Sequence, residues 1–209
     1  MPDKKTRESM QYELCKILHR TGAIKFGVFK LTSGKISPYY IDLRIIPSFP
    51  DAFQEICVFY QTLIEENVGA DNFERIAGIP VAGMPFASLV AYQFRKPFLY
   101  IRKEAKLHGR QKRIEGILAP GDRILLIDDL VTSGLSLKTA AETLRAEGGV
   151  VSNAVVLLDR EEGGRENLAK VNIKLHSLVK VSEVVDVLYD IGALDEMQRD
   201  TILKQIKKE

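Results

Sequence analysis

ILLIDDLVTSGLSLKTAAETL, residues 124–144, is the stretch that decides how this chain reads. Ile124 to Ile127 is a short apolar run rich in β-branched residues, as expected of a strand buried on both faces in a parallel sheet. It ends on two adjacent acids, Asp128 and Asp129. After Leu130 and Val131 comes Thr132-Ser133-Gly134-Leu135-Ser136, and then Leu137, Ala140, Ala141 and Leu144 fall at the spacing of one helical face. The predicted order is strand, acidic pair, hydroxyl-rich turn, helix.

Two physical demands meet in that turn. The first N–H groups of a helix have no partners inside it and lie at the positive end of the helix dipole, which favours an anion such as phosphate. Thr132, Ser133 and Ser136 add hydroxyl donors, and Gly134 permits close approach of the backbone or a positive φ. The carboxylates of Asp128 and Asp129 would repel the same phosphate unless sugar hydroxyls or a bound Mg²⁺ lie between. The implied ligand is a sugar phosphate with free hydroxyls, accompanied by a metal. The bland alternative is a surface turn with a serine N-cap before an ordinary helix.

The stretch resembles the phosphoribosyl-pyrophosphate (PRPP) signature of the type I phosphoribosyltransferases, an apolar strand running into two acids and a Thr/Ser/Gly loop. That resemblance implies that Asp128, Asp129, Leu130, Val131, Thr132, Ser133, Gly134, Leu135 and Ser136 bind PRPP. Other nucleotide motifs fail: Gly34-Lys35 is followed by Ile36, and Phe29 stands where a Walker loop needs its first glycine. There is no G-x-G-x-x-G.

At 209 residues the chain fits one α/β domain, or one with a small appendage, and 45% hydrophobic with 28% charged residues is ordinary for a soluble globular protein. No apolar run approaches the ~18 residues of a membrane span, and the polar start MPDKKTRESM is no secretory signal. Cys15 and Cys57 are too few for a disulfide or metal framework, which points to a reducing cytoplasmic setting. The net charge of +2 excludes little, because local clustering matters more than the total, and no nucleic-acid or membrane partner is expected.

Before the central stretch, Met10, Leu14, Ile17 and Leu18 predict an N-terminal helix ending near Thr21-Gly22. KFGVFKLTSGKISPYYIDLR, residues 25–44, reads as short strands joined by a turn, with aromatics that pack or stack on a flat base. This segment is similar to the N-terminal hood of the orotate phosphoribosyltransferases: Phe29, Leu31, Ser33, Gly34, Ser37, Pro38, Tyr40 and Arg44 match its wording. Thr32 departs from it, since many members carry lysine there. A helix from Asp51 with Phe53, Ile56, Cys57, Tyr60 and Ile64 on one face closes at Asn67-Val68-Gly69, and Arg75 to Gly78 reads as a strand. The turn Ile79-Pro80-Val81-Ala82-Gly83 follows, then a helix to about Phe94. In the family this turn lies by the pyrophosphate, and Ala82 stands near a lysine of some members, so only backbone donors are expected of it here.

Phe98 to Ile101 is a further predicted strand, and RKEAKLHGRQKRIEG, residues 102–116, is a basic segment without hydrophobic periodicity. Arg102, Lys103, Lys106, His108 and Gly109 match the mobile catalytic loop of the same family. The resemblance implies a cationic lid in which Lys106 and His108 serve the departing oxygen and Arg102, Lys103, Lys106 and His108 bind PRPP. It further implies that the lid reaches the neighbouring subunit's site in a homodimer. Val151 to Leu158 reads as another buried strand, ending at Asp159-Arg160. Ligands of open α/β sheets lie outside the carboxyl ends of the strands, so Arg160 is expected in the same crevice, where a guanidinium suits a carboxylate. The family uses the matching arginine, with Thr132, to hold orotate. Lys174 to Leu178 suggests an edge strand carrying a structural His176, and Val184, Val187, Leu188 and Ile191, then Met197, Ile202 and Ile206, predict two closing helices.

The expected architecture is a single α/β domain spanning the whole chain, with a mainly parallel sheet flanked by helices. A hood occupies about residues 1–45, a core about 46–180 and the C-terminal helices about 181–209. The resemblance implies transfer of the phosphoribosyl group of PRPP to orotate with Mg²⁺, giving orotidine 5′-monophosphate and pyrophosphate in pyrimidine biosynthesis. The alternatives are another nucleobase transferase, disfavoured by the hood and Arg160, and a non-catalytic PRPP-binding regulator, which has no need of a lid. No metal-ligand set is legible in the sequence.

Overall fold

A computed structural model of the protein describes residues 6–30, 34, 36–102 and 113–206. The chain order is α1 (Arg7–Arg20), β1 (Ile24–Lys30), β2 (Ile36–Ile41), α2 (Pro50–Asn67), β3 (Arg75–Gly78), α3 (Gly83–Phe94), β4 (Phe98–Ile101) and β5 (Ile114–Glu115). It continues with β6 (Arg123–Ile127), β7 (Leu130–Val131), α4 (Leu135–Ala146), β8 (Val150–Asp159), α5 (Gly164–Ala169), β9 (Lys174–Lys180), α6 (Val181–Asp190) and α7 (Glu196–Ile206). Strands β1 and β2 form an antiparallel hairpin, the predicted hood. The other strands form one sheet in which β3, β4, β6, β7, β8 and β9 pair in parallel and β5 alone is antiparallel.

The period of two along the central strand sorts its side chains into two cores. Leu125 and Ile127 of β6 join a cluster with α1, α2, α3 and α6, whereas Ile124 and Leu126 face α4 and α5 on the other side. The near-continuous apolar run is therefore buried on both faces, as a parallel strand covered by helices requires. Helix α1 is capped by the Thr6 hydroxyl, which accepts from the Ser9 N–H, and buries Met10, Leu14, Ile17 and Leu18. Its polar side reaches β9: Arg7 donates to the Ser177 carbonyl at 2.8 Å and Gln11 to that of Leu178 at 2.9 Å. Arg165 of α5 donates to the Leu175 carbonyl at 2.7 Å.

Two local expectations are corrected. Leu130 and Val131, given no element of their own between the acidic pair and the turn, form a strand that pairs with Leu158 and Asp159 of β8. Of the apolar positions expected on the closing helices, Ile202 is buried but Ile191 is only the C-cap of α6, and Met197 is 76% exposed beside Val28 and Pro38 of the hood. Helix α7 packs on α6 and on β2, and Met197, near its start, stays largely outside those contacts.

His176 of β9 is buried and bonded to Asn153 Oδ1 at 2.9 Å. Burial, reinforced by the charges of Lys174, Arg165 and Arg7, lowers its pKa from 6.5 to about 4. Below 6.5 the unfolded chain takes up a proton that the folded site refuses. The stabilising contribution is thus complete above 6.5 and is lost as the pH falls towards about 4. Unfolding midpoints measured across that window should fall less for His176→Gln than for the wild type, and equal falls would remove His176 from the acid response.

Candidate active site

The site forms where β6 stops pairing. The regular ladder to β8 runs to Ile127 opposite Val155, becomes irregular at Asp128 and Asp129, where the Asp128 N–H still donates to the Val155 carbonyl at 3.2 Å, and resumes with β7. Within the gap, the Asp129 carbonyl accepts from the N–H of Leu157 at 3.0 Å and of Leu158 at 3.4 Å. The Asp128 carbonyl instead accepts a 2.6 Å hydrogen bond from the hydroxyl of Tyr60, a fully buried residue of α2. From the α3 side Gly83 touches the same residue: a Cβ there would come within 2.7 Å of Asp128 Oδ1 and 2.8 Å of its Cα. Only glycine allows helix and acidic pair this close.

Two helices begin at the pair. Gly134, at φ +78°, is the N-cap of α4, and no side chain caps that helix. The serine N-cap of the bland reading is absent, so the first N–H groups of α4 remain to be met by solvent or a ligand. Helix α3 likewise starts from Ala82 without a side-chain cap, after a cis Pro80–Val81 peptide. A cavity of about 230 Å³ is lined by residues 79–82 and 128–137. It joins both helix starts to both acids. Behind it, Gly164 packs against Val131 and the Thr132 carbonyl, and Asn167 donates to the Ser133 carbonyl at 3.1 Å.

Asp128 and Asp129 are both buried, and Asp128 Oδ1 accepts from the Asp129 N–H at 3.0 Å. Burial first, and then the neighbouring charge, push Asp128 well above the carboxylate range. Burial raises Asp129 also, against the lowering effect of its hydrogen bonds and of the Arg44 charge. No Arg or Lys ion-pairs with either among the described residues, so the pair lacks the partner that buried charges usually have. Ribose hydroxyls or a divalent cation would supply it. The described residues hold no cluster of three or more metal-ligating side chains. A Mg²⁺ that takes most of its ligands from water and substrate oxygens fits such a site, because Mg²⁺ needs only one or two protein carboxylates.

The predicted PRPP residues Asp128, Asp129, Leu130, Val131, Thr132, Ser133, Gly134, Leu135 and Ser136 all line this one cavity. Lys103, Lys106 and His108 lie outside the described residues, as do Leu31, Thr32 and Ser33 of the hood. Arg102 stands at the base of the basic segment, its N–H bonded to the Arg113 carbonyl at 2.8 Å and its Nε paired with Glu115 at 2.6 Å, and it does not line the cavity. Arg160 is also outside that lining, although its N–H donates to the Val131 carbonyl at 3.0 Å. Its guanidinium lies over the Tyr39 ring, 5.1 Å from the centroid, with Nε 2.8 Å from Glu162. Tyr39, Tyr60 and Glu162 were not singled out in the sequence. Tyr60 was legible only as one apolar position on a helical face, and nothing in that pattern assigns its hydroxyl.

The family model for the phosphoribosyl transferase domain matches residues 51–188, the span from α2 into α6 that carries the whole cavity. Fold and site together are those of a phosphoribosyltransferase. The orotate phosphoribosyltransferase of Staphylothermus marinus is 39% identical over 97% of both chains. The uridine 5′-monophosphate synthase of Caenorhabditis elegans is 36% identical over 99% of this chain and 41% of its own length. Among solved structures, Leishmania donovani UMP synthase matches with a TM-score of 0.84 at 33% identity, covering 95% of this chain and 42% of that one. The Aeropyrum pernix orotate phosphoribosyltransferase matches with 0.72 at 29%, covering 86% and 99%. The chain belongs to the family of orotate phosphoribosyltransferases.

Replacing Asp128 by asparagine keeps the acceptor for the Asp129 N–H and removes one of two crowded charges. A carboxyl raised in the folded state favours folding below its unfolded pKa of 3.8 and loses that contribution as the pH rises through its folded value. Asp128→Asn should therefore raise the melting temperature at neutral pH by about 2–4 °C, corresponding to ~1 kcal/mol, with the gain shrinking towards pH 4. An unchanged or lower melting temperature at neutral pH would mean that the two carboxylates do not oppose folding.

Proposed function

We propose that the protein transfers the phosphoribosyl group of PRPP to orotate, giving orotidine 5′-monophosphate and pyrophosphate, a step in de novo UMP synthesis, in a reducing cytoplasmic setting. The observation that carries this reading is a single cavity lined by a buried acidic pair and by two helix starts without side-chain caps. Such a site suits a ligand with a diol in the middle and phosphates at either side.

In this reading Asp128 and Asp129 accept from the ribose hydroxyls, and the N–H and hydroxyl groups from Thr132 to Ser136 hold the 5′-phosphate. The turn at residues 79–82 faces the pyrophosphate with backbone donors alone, since position 82 is alanine. As the C1′–O bond loosens, positive charge grows on the ribose and negative charge on the leaving group. Lys106 and His108 donate to the departing oxygen, with Arg102 and Lys103 adding charge. Fixed donors at that point are the largest expected catalytic contribution. A bound Mg²⁺, held beside Asp128 and Asp129 mainly by substrate oxygens, would supply further neutralisation of the leaving group. Arg160 pairs with the carboxylate of orotate.

Loss of orotate absorbance that depends on PRPP tests the reaction directly. In that assay Arg160→Ala should raise KM for orotate on the order of 10²-fold, with a much smaller change for PRPP, because it strands a carboxylate without its partner. Normal orotate kinetics with weakened PRPP binding would move Arg160 to the phosphate site.

The lid is assigned to the neighbouring subunit of a C₂ dimer. Lys106→Ala should lower kcat on the order of 10²–10³-fold. Mixing such chains with a double variant, Asp128→Asn and Asp129→Asn, should then restore activity above that of either alone. No recovery after mass spectrometry has confirmed subunit exchange would put the lid over its own subunit's site.

A further inference from the structure

The guanidinium of Arg160 is gripped from two sides. Nε lies 2.8 Å from Oε1 of Glu162, two residues on, and both side chains are largely buried. The ring of Tyr39, a buried residue of the hood strand β2, lies under the guanidinium carbon, and its hydroxyl is 3.4 Å from Nη2. Among the described residues the contacts of the guanidinium fall on Nε and Nη2, not on Nη1. The contact with Glu162 is an ion pair without the alignment of a hydrogen bond, and a carboxylate seated on the Nε side leaves the other edge of the fork, formed by the two terminal nitrogens, for a second carboxylate. A cation pressed on an aromatic face cannot swing out of the plane that face defines.

We propose that Glu162, together with Tyr39, is a positioning residue for base recognition: it occupies the Nε side of Arg160 and fixes the guanidinium so that its terminal nitrogens meet the carboxylate of the incoming base. This rests on the reading of Arg160 as the orotate-binding residue. The pairing also sets the charge of the subsite. Within the Arg160–Glu162 pair the two charges offset each other, and the carboxylate of the substrate adds one negative charge. Recognition therefore depends on bidentate geometry more than on raw attraction, and a lone phosphate gains little there. Tyr39 makes the subsite span the hood and the end of β8, two parts of the chain 121 residues apart in sequence.

The test compares KM for orotate and for PRPP in Glu162→Gln, Tyr39→Phe, Arg160→Ala and the double variant Glu162→Gln with Arg160→Ala. Glu162→Gln should raise KM for orotate about tenfold, within the range of couplings inside one ion-pair network, and leave KM for PRPP within about twofold. Tyr39→Phe keeps the ring and should raise KM for orotate less. In the Arg160→Ala background the effect of Glu162→Gln should vanish, because Glu162 acts through Arg160. A lowered KM for orotate in Glu162→Gln would make Glu162 a competitor of the substrate and overturn the proposal, as would an unchanged KM. Equal rises in both KM values with a lower melting temperature would reduce Glu162 to a structural role and overturn it too. If Glu162→Gln fails to fold, Glu162→Asp takes its place with the same expected split between the two substrates. Should Arg160→Ala itself leave KM for orotate unchanged, the assignment of Arg160 fails first, which separates that failure from one confined to Glu162.

Discussion

Everything near the site answers to the burial of two adjacent carboxylates at the end of the central strand. An ionised carboxylate taken out of water without a partner is expensive, and a second one beside it is more so. Asp128 and Asp129 are held there with no ion-pair partner among the described residues, their protonation equilibria shifted upward by burial. The fold maintains that arrangement without relieving it, which is the mark of a place prepared for a ligand.

The restraint is visible in the backbone. At the acids the regular ladder thins to a few backbone bonds with β8, and a tyrosine hydroxyl from one helix and glycine contact from another are added to them. The break also lets β7 resume beside β8, so the loop that follows is anchored at once by strand pairing and by the packing of Gly164 against it. A Thr/Ser/Gly turn that was merely flexible could not hold two helix starts and two acids around one cavity.

The sequence showed the layers and the cavity, because both follow from local regularities: a β-branched apolar run, helical spacing, a glycine at positive φ. Ile124 to Ile127 and Leu137 to Leu144 are legible for that reason. Contacts between distant segments are a different matter. That Tyr60 reaches the Asp128 carbonyl, 68 residues away, or that Tyr39 underlies Arg160, depends on tertiary docking and leaves no periodic trace. Arg160 shows both sides of this. Its place at the end of β8 could be read from the strand, and its partner could not, since Asp159, Glu161 and Glu162 all lie within two residues of it. Leu130 and Val131 were misread because two residues are too few for any period to declare itself.

The side chains of Arg7, Gln11 and Arg165 on the carbonyls of β9 have a consequence beyond anchoring α1. An edge strand normally offers its free acceptors to any extended chain that meets it, which is how sheets fuse edge to edge. Here the acceptors of Leu175, Ser177 and Leu178 are already taken. An incoming strand would first have to strip off two helices' worth of side chains. The sheet is closed to growth along this border, so self-association of the chain is directed towards side-chain surfaces and away from cross-strand fusion at β9.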